Sequence, residues 1–111
     1  MSRFHTDLFQ AWKKKSPEIG LLFREKKYQQ AVSPMQSNLK QFKQALALLN
    51  GTDESVLDVN TLKHKPINVV ERMLYIEENL SQYHAFIQLQ ALYEELEKLY
   101  AKVAILEAYQ E

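Results

Sequence analysis

Residues 81–109, SQYHAFIQLQALYEELEKLYAKVAILEAY, decide the fold class. Within them Ala85, Leu89, Leu92, Leu96, Leu99, Val103 and Leu106 recur in steps of four and three, with Phe86, Tyr93 and Tyr100 along the flank. Such steps gather side chains on one face of an α-helix, so this is a long amphipathic helix that Ser81 can cap. The same rhythm runs through residues 28–49, at Tyr28, Val32, Met35, Leu39, Phe42, Leu46 and Leu49. Two such stripes pack on one another at the shallow angle of a bundle. Two glycines and three prolines in 111 residues are too few for the turns of a β domain. The expectation is all-α: a small helical bundle of about four to five helices with a long C-terminal helix, as one helical domain over residues 1–111.

Working outward, a first helix is expected from Thr6 or Asp7, with Phe4, Leu8, Phe9 and Trp12 on one side and Lys13, Lys14 and Lys15 in its last turn. Ser16 and Pro17 then restart a helix that turns Ile19, Leu22 and Phe23 inward. Pro34 sits inside the second stripe, where it either opens a helix or kinks one that runs through. Asn50 and Gly51 supply a left-handed terminator, and Gly51 to Lys65 reads as a loop with a short turn around Val56 to Val59. Asn68 and Glu71 have the spacing of a capping box, ahead of Val70, Met73, Leu74 and Ile76 on a core-facing side. Asn79 to Ser81 breaks that helix from the last.

Composition narrows the function classes. No cysteine is present, which removes disulfides, thiolate metal sites and cysteine nucleophiles together. The longest apolar run, Ala45 to Leu49, is far short of a bilayer span, and no apolar signal region opens the chain. A cytoplasmic location follows by elimination. Net charge is zero, yet residues 1–50 hold nine Lys or Arg against three Asp or Glu, and residues 51–111 hold five against eleven. Such halves can attract each other within the fold, the favoured reading, or present a basic surface to an anionic partner.

Two blocks are richer than composition explains: Lys65-Pro66-Ile67-Asn68-Val69-Val70-Glu71-Arg72-Met73, and Tyr83-His84-Ala85-Phe86-Ile87-Gln88-Leu89. As a pair they resemble the YpoC-like family, uncharacterised small proteins of low-GC Gram-positive bacteria. The resemblance extends from about Phe42, through Leu48-Leu49-Asn50-Gly51, to about Lys102, with the N-terminal forty residues matching as amphipathic helix. It implies gene neighbours in replication initiation, base-excision repair and cell-wall synthesis. It brings no catalytic or ligand-binding residues.

Both blocks sit at helix starts, so Asn68, Glu71, Arg72, Tyr83, His84 and Gln88 form a candidate polar notch. There a bidentate arginine either receives a carboxylate or phosphate or, as favoured, staples two helices through a buried network. His84 is expected in the first turn of the last helix, hydrogen-bonded to the loop before Asn68. His5, His64 and His84 lack metal-ligand spacing, so neither a metal nor a cofactor is expected. A second candidate surface, for an anionic partner, comprises Lys13, Lys14, Lys15, Arg24, Lys26 and Lys27. It can meet DNA or RNA phosphates, though no base-reading motif accompanies it. A membrane surface under the first helix is disfavoured, because a stripe of four apolar residues is more often core. With no catalytic signature, the chain is read as a non-enzymatic helical interaction or adaptor protein, docking a protein partner or its own copy through faces such as Tyr93 and Tyr100. The alternative is a nucleic-acid-binding accessory protein that uses the basic N-terminal half.

Overall fold

Wherever the apolar steps of four and three run, the backbone is helical. The computed structural model describes residues 3–53 and 58–109, with side chains from residue 7 onward. In chain order it forms α1 (Arg3–Arg24), α2 (Tyr28–Leu49), a 3₁₀ turn (Val59–Thr61), α3 (Val69–Glu78) and α4 (Tyr83–Tyr109), with no strand among the described residues. The chain is thus an all-α bundle closed by its longest helix. Phe4, His5, Val56 and Leu57 fall outside the described side chains.

Helices α2 and α4 each pack against all the others. The Tyr93 hydroxyl donates to the Asn38 carbonyl at 2.5 Å, and the Tyr100 hydroxyl to the Ala45 carbonyl at 2.6 Å. Both pairs advance by seven residues in the same sense, so α2 and α4 run parallel. Contacts of α1 with α4 pass from Phe9–Tyr100 to Phe23–Phe86, so α1 is antiparallel to them. So is α3, whose contacts pass from Arg72–Glu95 to Tyr75–His84. Tyr93 occupies the middle: Trp12 stacks on it at 4.3 Å and 7°, while Phe9 and Phe42 meet it edge-on. Burial pushes the Tyr93 hydroxyl well above the usual phenol range and that of Tyr100 up to about 12. Both tyrosines therefore belong to the core, and the expectation that they flank it as an interface is corrected.

Other corrections have local causes. Pro17 lies inside α1 and does not restart a helix. Leu8, Trp12, Ile19 and Phe23 are buried at steps of four, seven and four, so a single face stays in register across the proline. Pro17 itself is exposed, and so is Lys13, the residue whose carbonyl it deprives of a helical partner. Lys13, Lys14 and Lys15 consequently sit mid-helix, and Arg24 is the base of the last turn. Leu8, Phe9 and Trp12, expected on one side of the first helix, are buried in the core. Helix α2 runs through Pro34, and the buried Asn38 donates its Nδ2 back to the Pro34 carbonyl at 2.7 Å. On α3 Val69 joins Met73 and Ile76 in the core, while Leu74 is half-exposed. Helix α4 starts at Tyr83, two residues past Ser81.

Asn68 precedes α3 in the left-handed region at φ 56°, and its side chain caps nothing. The capping box with Glu71 fails because that box needs an extended cap residue, whereas asparagine here absorbs the turn after Pro66. Gly51, at φ 69°, ends α2 as expected, with Thr52 N–H bonded to the Ala47 carbonyl and Gly51 N–H to that of Leu48. Asn50 then ties the following loop down: Nδ2 donates to the His64 carbonyl and Oδ1 accepts the His64 N–H.

The turn from α1 to α2 repeats that bonding with lysine in the glycine position. Lys26, at φ 61°, donates to the Phe23 carbonyl and Lys27 to that of Leu22. Lys26→Gly is expected to stabilise the fold by about 1 kcal/mol, read as a higher midpoint of thermal unfolding. A second expectation concerns alkali. The folded tyrosines titrate above the unfolded value of 10, so their stabilisation is complete below it and is lost as pH rises toward the folded values. The urea midpoint should fall between about pH 9 and about pH 11, and fall less in a Tyr93→Phe/Tyr100→Phe variant.

Candidate functional site

At the crossing of α3 and α4, Arg72 makes the network that the two sequence blocks suggest. Nε donates to Gln88 Oε1 at 3.1 Å, Nη1 to the Ile67 carbonyl at 3.1 Å and to Glu95 Oε1 at 3.0 Å, and Nη2 to Glu95 Oε2 at 2.6 Å. The Arg72 side chain is 19% exposed. Its fork already holds a carboxylate in bidentate fashion, so an incoming anion would have to displace Glu95. The arrangement staples α3 to α4 and to the loop ahead of α3.

An open groove of about 790 Å³ lies over this staple, lined by Asn68, Glu71, Arg72, Tyr75, His84 and Gln88, together with Ile67 and Ala91. Five of the six notch candidates thus come together. Tyr83 does not: it packs against Phe23 and Phe86 on another face. The hydrogen bond expected from His84 to the loop before Asn68 is replaced by an edge-on contact of its exposed ring with Tyr75, centroids 5.6 Å apart. Among the described residues, no hydrogen bond joins His84 to Glu71 or to any other carboxylate. Among the described residues no group of three His, Cys, Asp or Glu is placed to hold a metal, and no helix is long and apolar enough to cross a membrane. Sequence reasoning missed Glu95, although Gln88 and Glu95 stand two turns apart on one helix face.

The basic residues are dispersed. Lys13 pairs with Glu97 at 3.0 Å, Lys15 with Glu18 at 3.2 Å and Lys27 with Glu25 at 3.4 Å. Lys13 to Lys15 are separated by roughly 14 to 16 Å of helix from Arg24, beside which Lys26 and Lys27 form the turn. Lys13–Glu97 and Lys43–Glu77 join the basic half of the chain to the acidic half.

Arg24 instead borders a second open groove, of about 780 Å³, between α1 and α4 at the α1–α2 turn. Ser16, Gly20 and Leu21 line it from α1, Tyr28 from α2, and Tyr83 from α4. This groove was not anticipated, although Ser16 and Gly20 recur at the four-residue spacing that puts small side chains on one face.

The chain matches the family model described as YpoC-like protein over residues 2–108, and so belongs to the YpoC-like family. The match reaches further toward the N-terminus than the resemblance from Phe42 to Lys102, and takes in all of α1. No curated protein and no solved structure matches the chain.

If the Arg72 network is a staple, its loss should appear as stability. Arg72→Ala and Glu95→Ala are each expected to destabilise by about 1 kcal/mol, with a double-mutant coupling near that size, because the pair is bidentate but partly solvated. Phosphate should stabilise the wild type no more than it stabilises Arg72→Ala in a thermal-shift measurement.

Proposed function

We propose that this YpoC-like chain is a non-enzymatic interaction protein, a helical adaptor working in the cytoplasm of a low-GC Gram-positive bacterium. The observation that carries this reading is a group of large apolar side chains left outside an otherwise filled core. Leu21, Tyr28 and Tyr83 are 47%, 44% and 56% exposed, and all three line one groove. Exposed apolar side chains that cluster mark contact surfaces more often than single ones do. The role that Tyr93 and Tyr100 were expected to play passes to Tyr28 and Tyr83. Support also comes from the polar notch, where Arg72 is engaged by Gln88, Glu95 and the Ile67 carbonyl of the protein itself.

The competing function is nucleic-acid binding through the basic half. Affinity capture from a lysate of the source bacterium, with and without nuclease, separates the two. The expected result is a protein that stays bound after nuclease and is also captured by a Lys13→Glu/Lys14→Glu/Lys15→Glu variant. Bound material that disappears with nuclease, or with that variant, would replace the adaptor by a nucleic-acid accessory protein whose affinity falls steeply with salt.

A further inference from the structure

The α1/α4 groove has a shape, a floor and a charge that together select an occupant. Its depth comes from small residues. Ser16 and Gly20 stand where α1 faces α4, and a Cβ at Gly20 would lie 3.4 Å from the Phe86 ring. The aromatic floor is made by Phe23 and Phe86, stacked with centroids 5.7 Å apart. Tyr28 and Tyr83, each packed on Phe23, form the walls and leave much of their rings in water. Phenol rings held in this way are large, rigid and amphipathic, the kind of surface that anchors an inserted apolar side chain.

Side-chain charge at the groove is mainly positive. Arg24 is the charged residue among those lining it, and no carboxylate lines it. Lys26 and Lys27 flank Arg24 on the turn, where Glu25 offsets one of them.

We infer that the groove receives an acidic peptide segment of a partner protein, seating a leucine or aromatic side chain on Phe23 and Phe86 between the two tyrosines and a carboxylate on Arg24. The inference rests on the adaptor reading and names that reading's surface and partner chemistry. A single-stranded nucleic acid could also stack on tyrosines, but it needs cations along its backbone. Here the cations stop at the turn, and Lys13 and Lys15 are engaged by Glu97 and Glu18.

The test is a random-peptide display selection on the immobilised full chain, followed by fluorescence polarisation with the selected peptides. Peptides of net negative charge carrying a leucine or aromatic residue are expected. Their dissociation constants should rise about ten-fold or more with Tyr83→Ala and with Arg24→Glu, and stay within about two-fold with Leu74→Ala, an exposed apolar residue elsewhere. Circular dichroism of each variant confirms that it folds. Selected peptides without acidic bias, or equal binding by all variants, overturn the inference. So does Tyr83-dependent binding of an oligothymidylate of about 20 nucleotides, or self-association that Tyr83→Ala abolishes. In lysate capture, a partner retained equally by Tyr83→Ala overturns the groove and leaves the adaptor reading standing. Capture of no protein by the wild type overturns the adaptor reading itself.

Discussion

Two tyrosine hydroxyls enter the middle of this bundle, and the rest of the packing depends on where they find acceptors. A buried hydroxyl without a partner costs roughly 1–3 kcal/mol, enough to reject most placements of α4 against α2. The carbonyls of Asn38 and Ala45 satisfy Tyr93 and Tyr100, and because both pairs are seven residues apart they fix direction and register together. Around that fixed pair the aromatic contacts follow: Trp12 lies flat on Tyr93, and Phe9 reaches both tyrosines. The helix that donates both hydroxyls is also the one that bounds both grooves.

Charge plays a smaller part inside the fold than the asymmetry of the two halves suggests. Lys13–Glu97 and Lys43–Glu77 bridge the halves at partly exposed positions, where ion pairs contribute little each. The strongest ionic contact, Arg72 with Glu95, lies wholly within the acidic half. The surplus positive charge near Arg24 and Lys26 is not drawn into those bridges, and it sits beside the aromatic groove.

Much of the fold was legible because burial follows helical periodicity. Met35, Leu39, Phe42 and Leu46 on α2, and Leu89, Leu92 and Leu96 on α4, are the residues that the spacing selects. Legibility ended where rotation about a helix axis decides. The burial stripe of α4 keeps Val103 but turns toward Tyr93 and Tyr100 on its expected flank, leaving Leu106 exposed. Tyr83 and His84, neighbours in sequence, are about 100° apart around the helix, so one notch cannot hold both. His84, Gln88 and Glu95 share one face and Tyr83, Phe86 and Gln90 another. Proline reading failed for a related reason: Pro17 looks like a helix start locally, but continuous core contacts on either side outweigh one lost hydrogen bond.

The parallel pairing of α2 with α4 has a consequence for how the protein is made. Residues 1–50, with their surplus of positive charge, leave the ribosome before the helix that covers them exists. Until Tyr93 and Tyr100 arrive, Trp12 and Phe42 have no tyrosine to pack on, and the carbonyls of Asn38 and Ala45 have only water beyond their helix. Completion of the core waits for α4, so a translational stop anywhere before Tyr93 yields a protein missing its centre rather than its edge.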